Sequence, residues 1–193
     1  MCAQPVPDWL IPPDRGFRAE DLDSIPDLPP HTELIDGSLV LVSPQKVFHS
    51  ALLDVLVAGL YSSTPSRYRV RREISLTLAP RQRPEPDLMV VEAESSTGKD
   101  QTGYTPESVL LVVEVVSPES AVRDRKRKPL LYAEAGIPHF WRIEDNDGNP
   151  VVYVYELDQV KTCYVPMGIH HGHLKVEQPY PIDIDLSEVQ RRI

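Results

Sequence analysis

The sequence is poor in cysteine, and this excludes two common kinds of small protein. Only Cys2 and Cys163 occur among 193 residues. Two cysteines form no framework of several disulfides, and they match no metal-ligand spacing, so a reducing cytosol is the simplest setting. The N-terminus lacks the basic and apolar segments of a secretion signal, and no apolar run approaches the roughly 20 residues that span a bilayer. We therefore expect a soluble cytoplasmic protein that does not interact with membranes.

Positive charge is also scarce in this chain. Lysine and arginine number 20 against 29 aspartates and glutamates, which gives a formal net charge of −9. This balance argues against a protein coated with positive charge for binding nucleic acid. It does not exclude a local basic groove, because a net charge says little about where the charges lie. The hydrophobic content of 41% and the charged content of 25% are ordinary for a globular protein.

The 20 prolines are unevenly spread, and seven of them lie in the first thirty residues. Proline removes a backbone donor and restricts the backbone, so this region is a poor candidate for long regular structure. We predict an N-terminal arm over residues 1–16. Residues 17–193 are long enough for one domain with a substantial hydrophobic core and too short for two.

Hydrophobic periodicity predicts strands and a few helices after the arm. Asp36-Gly37 and the segment "DNDGNP" each separate two apolar runs and predict hairpins. A helical period predicts a helix over residues 47–62, and an alternating pattern predicts one half-buried strand from Tyr68 to Leu78. The segment "RKPLLYAEAG" predicts a second helix that ends at Gly136. The fold class is therefore α/β or α+β.

The segment "LLVVEVVSPES" places Glu114 inside an otherwise apolar run that is typical of a strand buried on both faces. A buried carboxylate without a partner costs several kcal/mol. Asp87 in "RPEPDLMVVEA" begins another apolar strand, and a divalent cation would relieve the repulsion between two close carboxylates. Mg²⁺ or Mn²⁺ held by Asp87, Glu114 and the carbonyl of Val115 is therefore one interpretation. A buried arginine beside Glu114, or a hydrogen-bonded network, is the alternative.

A basic stretch follows the Glu114 strand and supplies a third candidate catalytic group. An ammonium near a metal orients water and neutralises charge on a phosphate, and five basic residues between Arg123 and Lys128 offer one. Asp124 lies four residues before Lys128, so the two share one face if the segment is helical. The other basic residues favour a solvated helix start or contacts to phosphate groups, and these are Arg123, Arg125, Lys126 and Arg127.

These blocks together resemble the Uma-type putative restriction endonucleases, a branch of the PD-(D/E)XK nuclease superfamily. The resemblance runs from about Phe17 to the C-terminus, through "ELIDGSLVLVSP", His49, "EPDLMVV", "LLVVEVVSPES" and "DRKRKPLLYAEAGIPHFWRIE". It implies a restriction-endonuclease-like core, with a central mixed sheet flanked by helices and added β-hairpins. It also implies a Mg²⁺- or Mn²⁺-dependent phosphodiesterase centre for DNA at Asp87, Glu114 and Lys128.

The chain departs from the family pattern at two places. Residue 116 is valine where the superfamily's Glu-x-Lys motif has its lysine, and in this branch the following helix supplies that lysine. The family resemblance implies Lys128 for this role, with Lys126 as the spare candidate. Pro129 directly follows Lys128 where the family continues a helix. Because proline disfavours a helical conformation in the residue before it, either the helix begins here or it is kinked.

Further polar residues match family positions or border the proposed centre. Glu33 is a candidate acidic group near the metal or a strand-surface carboxylate, and His49 is a candidate site residue or a satisfied polar group. Ser117 is a candidate turn cap or a hydrogen-bonding group of the site. The histidines of "IHHGH" favour an exposed turn over a zinc site, because no acidic ligand lies nearby at strand spacing.

Three functional interpretations follow from the sequence. The first is a metal-dependent DNA endonuclease, which would act as a homodimer because cutting two strands calls for two centres. The second is a catalytically inactive nuclease-fold module for binding or interaction, which the acidic net charge and Pro129 favour. The third is a metal-dependent hydrolase of another phosphate ester.

Overall fold

The computed structural model describes residues 7–193 and is built around one six-stranded sheet. Residues 1–6, which include part of the predicted arm, lie outside the described residues. Phe17 is buried in a small apolar cluster with Ala19 and Leu34. The strands are β1 (Glu33–Ile35), β2 (Ser38–Val40), β3 (Tyr68–Arg72), β4 (Ser75–Leu76), β5 (Leu88–Glu92), β6 (Gly103–Tyr104), β7 (Val109–Val115), β8 (His139–Asn146), β9 (Asn149–Asp158), β10 (Cys163–His171), β11 (His173–Val176) and β12 (Ile182–Asp185).

The central sheet has the order β10-β9-β8-β7-β5-β3. Its neighbouring strands are antiparallel except β7 and β8, which are parallel, so the sheet is mixed. Two-stranded pairs β1–β2, β4–β6 and β11–β12 lie outside it. This arrangement confirms the predicted fold class of a central mixed sheet with added hairpins.

Two helices cover the sheet, α1 (Val47–Ser63) and α2 (Lys128–Glu134). The predicted helix over residues 47–62 is confirmed to within one residue. One face of β7 packs through Leu111 and Val113 into the core beside α1, and the other packs through Val112 against the buried Tyr132 of α2. Successive strand residues point to opposite faces, so Glu114 lies on the face that α2 covers. In the described part of the chain, no helix has the length and apolar character needed to cross a membrane.

Both predicted hairpins are confirmed, and their turns explain why. Asp36 and Gly37 between β1 and β2 have φ of 55° and 77°, and Asp147 and Gly148 between β8 and β9 have φ of 51° and 82°. A two-residue primed turn requires positive φ at both central positions, which aspartate tolerates and glycine adopts without cost. These dipeptides therefore determine where the strands reverse.

The prediction of one strand from Tyr68 to Leu78 was wrong. Strand β3 ends at Arg72, and Glu73 has φ of 50°, in the left-handed region. The chain then leaves the sheet, and β4 pairs with β6 instead. The alternation resumes at Ile74, but Arg72 is charged where the pattern requires an apolar residue. This interruption was the sign of the break in the sequence.

Candidate functional site

A cavity of about 390 Å³ lies where β5 begins and β7 ends, and it holds most of the candidate residues. It is bordered by β1, the start of α1 and the segment that leads into α2. Its lining includes Glu33, His49, Asp87, Glu114 and Lys128. Residues that lie far apart in the sequence thus meet at one end of the sheet.

Glu114 is 2% exposed, and its compensating partners are a lysine and a tyrosine. The Nζ atom of Lys128 lies 3.1 and 3.0 Å from the two carboxylate oxygens. The hydroxyl of Tyr132 donates to Oε1 at 2.5 Å, and its side chain is fully buried. The cost of burying Glu114 is therefore offset by an ammonium and a phenol, and no arginine takes part in these contacts.

Lys128 contacts three carboxylates at once. Besides Glu114, its Nζ lies 2.9 Å from Oε1 of Glu33 and 3.5 Å from Oδ1 of Asp124. The same Glu33 oxygen accepts a hydrogen bond of 2.9 Å from the backbone N–H of Glu85. The hydroxyl of Ser120 donates to the other Asp124 oxygen. The lysine is 4% exposed and is held from three directions.

Asp87 is fixed beside Glu114 by the backbone of β7. Leu88 pairs with Val113, so continuing this register by one residue places Asp87 opposite Glu114. The backbone N–H of Val115 donates to Oδ2 of Asp87 at 2.6 Å. On the other side, Nε2 of His49 lies 2.9 Å from Oδ1 of Asp87. The two predicted metal-binding carboxylates thus come from adjacent strands and face the same cavity.

Pro129 is accommodated by a π-helical segment directly before α2. Residues Arg123–Arg127 form this segment, and the backbone N–H of Lys128 donates to the carbonyl of Arg123, five residues earlier. The helical backbone is continuous from residue 121 through this segment into α2, and Arg127 and Lys128 both have helical torsions. Pro129 therefore lies inside a helical run, and the wider π turn accommodates a residue that has no N–H. Lys128 and Tyr132 both contact Glu114, and Asp124 contacts Lys128, so the proline does not turn the lysine away.

The charges in this cluster do not balance. Burial raises the pKa of Glu114 well above its usual range, against the opposing effect of Lys128. Burial also raises the pKa of Asp124. Burial lowers the pKa of Lys128, but Glu114, Glu33 and Asp124 outweigh this and raise it well above that of an ordinary lysine. One ammonium contacts three buried carboxylates, and it cannot neutralise them all.

The structure places some of the accessory candidates in the cavity and others outside it. Glu33 and His49 lie in the cluster, and Ser117 lines the cavity while exchanging hydrogen bonds with Ser120. Lys126 is exposed and lies outside the cavity lining. Tyr132 and Asp124 contact the centre, but sequence reasoning did not select them as site residues. Their four-residue spacing around Lys128 was the available signal, since it puts all three on one helix face.

The oxygen atoms of Asp87, Glu114 and Val115 are the kind of ligand that a hard divalent cation binds. Their positions in the structure do not converge on one metal position. Among the described residues, no three His, Cys, Asp or Glu side chains form a preassembled metal cluster. Glu114 is directed towards Lys128 and Tyr132 instead. Carboxylate oxygens beside an excess of buried negative charge are nevertheless the ligands that Mg²⁺ prefers. Asp87, Glu114 and the carbonyl of Val115 therefore remain the predicted ligands.

Two cations at the cavity are available for an anionic ligand. Arg125 pairs with Glu144, and Arg127 pairs with Asp36. Arg123 and Lys46 also line the cavity, and neither forms an ion pair within residues 7–193. The acidic centre is thus bordered by positive groups that have no carboxylate of their own.

A solved structure shares this fold. It is described as a putative nuclease belonging to DUF820 from Anabaena variabilis. It superposes with a TM-score of 0.67 at 18% sequence identity, over 91% of this chain and 98% of the other. At this identity the similarity establishes the fold alone. No curated protein matches the sequence.

The remaining comparison is with models of protein families, and it covers most of the chain. Residues 19–187 match the family Uma2, described as putative restriction endonuclease. This range includes every candidate residue of the cavity. The resemblance inferred from the sequence blocks is confirmed, and the chain belongs to the Uma2 putative restriction endonuclease family.

Proposed function

We propose that the protein is a Mg²⁺-dependent DNA endonuclease that hydrolyses phosphodiester bonds at the cavity between β5 and β7. The observation that carries this proposal is the buried excess of carboxylates, because three of them share the single ammonium of Lys128. Asp87, whose side chain is 14% exposed, adds a fourth carboxylate at the same cavity. An uncompensated buried charge is costly, and a divalent cation is the partner that would remove this cost. Membership of a nuclease family supports the same conclusion.

Each group has a role that follows from its position. When bound by Asp87, Glu114 and the Val115 carbonyl, a divalent cation supplies an activated water and neutralises charge on the phosphate. The Lys128 ammonium, 3.0 Å from Glu114, orients that water and stabilises negative charge that develops during attack. Tyr132 and Glu33 hold Glu114 and Lys128 in place.

Substrate contacts would come from the cations at the cavity. Arg123 and Lys46 line it without a carboxylate partner in residues 7–193, so they are free to contact the phosphates that flank the scissile bond. We further propose that two copies of the chain act together, because each strand of a duplex needs its own centre.

The test is cleavage of supercoiled plasmid DNA with Mg²⁺ or Mn²⁺. We expect nicking or linearisation by the wild-type protein and a loss of at least about a hundredfold in Asp87→Asn and Glu114→Gln. Asp183→Asn is the matched control, since this exposed carboxylate lies outside the cavity lining and should leave cleavage unchanged. Cleavage that survives both site substitutions would refute the proposal.

One observation favours a second candidate function, a nuclease scaffold that binds DNA or a partner without turnover. The Lys128 ammonium and the Tyr132 hydroxyl already satisfy Glu114 without a metal ion. Calorimetric titration separates the two candidates. DNA binding without heat or thermal stabilisation from Mg²⁺ or Mn²⁺ supports the scaffold, whereas metal binding that Asp87→Asn abolishes supports the enzyme.

A further inference from the structure

We propose that His49 binds the divalent cation of this site through Nε2, and that the site therefore prefers Mn²⁺ or a similar transition metal to Mg²⁺. This inference rests on the proposed function, because it concerns the same cation. It adds a ligand and a choice of metal that the two carboxylates do not specify.

The contact between His49 and Asp87 is close, but it is not a hydrogen bond. Nε2 of His49 lies 2.9 Å from Oδ1 of Asp87, and the two side chains are 13% and 14% exposed. Nε2 is buried, yet it has no hydrogen-bond partner anywhere in residues 7–193. A buried polar atom without a hydrogen-bond partner destabilises the fold. The separation is right for a hydrogen bond, so the orientation of the ring is what prevents one.

A short separation without a hydrogen bond is expected for two atoms that bind the same metal ion. Ligand atoms about 2.1 Å from an octahedral ion lie about 3.0 Å apart when they occupy neighbouring positions. Both atoms are then directed at the metal and not at each other, so they come close without a hydrogen bond. The 2.9 Å separation of Nε2 and Oδ1 agrees with this spacing.

The other contacts of Asp87 leave the required oxygen available. Oδ2 accepts the backbone N–H of Val115 at 2.6 Å, which fixes the carboxylate on β7. Oδ1 is consequently the oxygen that faces both His49 and the cavity. Helix α1 carries His49 and helix α2 carries Lys128, so two different elements supply the imidazole and the ammonium.

The chemistry of the donor decides the preference for a metal. Mg²⁺ favours oxygen ligands and keeps several waters, whereas imidazole suits first-row transition ions. A neutral imidazole also adds a donor without adding to the excess negative charge of the cluster. A site with one nitrogen and two carboxylates should therefore bind Mn²⁺ more tightly than Mg²⁺, and removal of the nitrogen should reduce this difference.

The experiment uses Mn²⁺ as a paramagnetic probe of the full-length protein. We expect pulsed electron paramagnetic resonance to show ¹⁴N coupling to bound Mn²⁺, and incorporation of ¹⁵N-histidine to convert it to ¹⁵N coupling without any substitution. In His49→Phe the coupling should disappear, and the Kd for Mn²⁺ should rise by about tenfold or more, with a smaller change for Mg²⁺. His171→Phe, at the exposed end of β10, should retain both the coupling and the affinity.

The outcomes distinguish this inference from the proposed function. Bound Mn²⁺ without nitrogen coupling in the wild type, together with DNA cleavage that requires Asp87, would overturn the role of His49 and leave the endonuclease intact. Coupling that persists in His49→Phe would also overturn it. Absence of both metal binding and cleavage in the wild type would refute the proposed function and this inference together. The labelled wild-type protein decides the matter even if His49→Phe does not fold.

Discussion

At the scale of single residues, the site is dominated by the cost of burying Glu114. Removing one partner of a buried ion pair leaves an unpaired charge and typically costs about 3–5 kcal/mol, much more than the pair contributes over an apolar replacement. Lys128 is the partner of three carboxylates, and all four side chains are less than 5% exposed. The lysine therefore carries a structural role in addition to its proposed catalytic one.

Replacement of Lys128 tests this structural role. In Lys128→Met we expect the free energy of unfolding at pH 7 to fall by about 3–5 kcal/mol, because Glu33, Glu114 and Asp124 lose their common cation. Urea denaturation measures the change. Lys126→Met is the control, since this exposed lysine should alter stability by no more than about 0.5 kcal/mol. A Lys128→Met protein as stable as the wild type would show that the cluster is neutralised in some other way.

Replacement of Tyr132 tests the same cluster with a smaller change of structure. Tyr132→Phe keeps the ring in its buried position and removes only the hydroxyl that donates to Glu114. A hydrogen bond to a charged group contributes about 1.5–3 kcal/mol, so we expect the free energy of unfolding to fall by roughly that amount. Tyr61→Phe serves as the control, because Tyr61 is exposed on α1. Equal denaturation midpoints for the two variants would contradict the reported role of Tyr132.

At the scale of elements, the β1–β2 hairpin is held to the π-helical segment by a second ion pair. Two guanidinium nitrogens of Arg127 donate to the carboxylate of Asp36 at 2.6 and 2.9 Å, and Gln82 donates to it at 2.7 Å. The hairpin also carries Glu33, which contacts Lys128. Arg127 thus fixes the strand that supplies one wall of the cavity.

This link should appear in the pH dependence of stability. The Arg127 guanidinium lowers the pKa of Asp36 to about 2, below the usual carboxyl value. A lowered pKa in the folded state stabilises the fold above the unfolded pKa, and this contribution is lost as the pH falls from about 4 to about 2. Asp36→Asn should therefore lose less stability over this range than the wild type.

Acid titration followed by circular dichroism measures this difference. Asparagine tolerates the left-handed backbone that residue 36 adopts, so the turn should remain intact. Asp27→Asn is a suitable control, because Asp27 has a similar backbone conformation and forms no ion pair in the described part of the chain. Identical acid transitions for Asp36→Asn and the wild type would show that the link does not contribute.

At the scale of the whole molecule, patterns of neighbouring residues predicted most helices and turns. They did not predict contacts between residues that are distant in the sequence. The Asp-Gly turns and the period of α1 depend on neighbouring residues, so the sequence revealed them. The break at Glu73 is marked in the sequence only by the charged Arg72 at an apolar position, and the left-handed backbone torsion of Glu73 is visible only in the structure. The π turn before Pro129 likewise depends on how the whole helix packs against the sheet.

The candidate site shows the same division. Asp87 and Glu114 could be selected because each interrupts or begins an apolar strand, and adjacent strands bring such residues together. The approach of His49 to Asp87 and of Glu33 to Lys128 joins elements that are far apart in sequence. Spacing and composition carry no information on such distances, so only the folded chain shows them.

The central claim is that Asp87 and Glu114 bind one divalent cation, and a crystal soaked in Mn²⁺ tests it most directly. We expect one anomalous peak within about 2.0–2.3 Å of an oxygen atom from each carboxylate, with Glu114 moved partly away from Lys128. A well-diffracting soaked crystal with no peak between them, and with Glu114 still bound to Lys128 and Tyr132, would contradict the account.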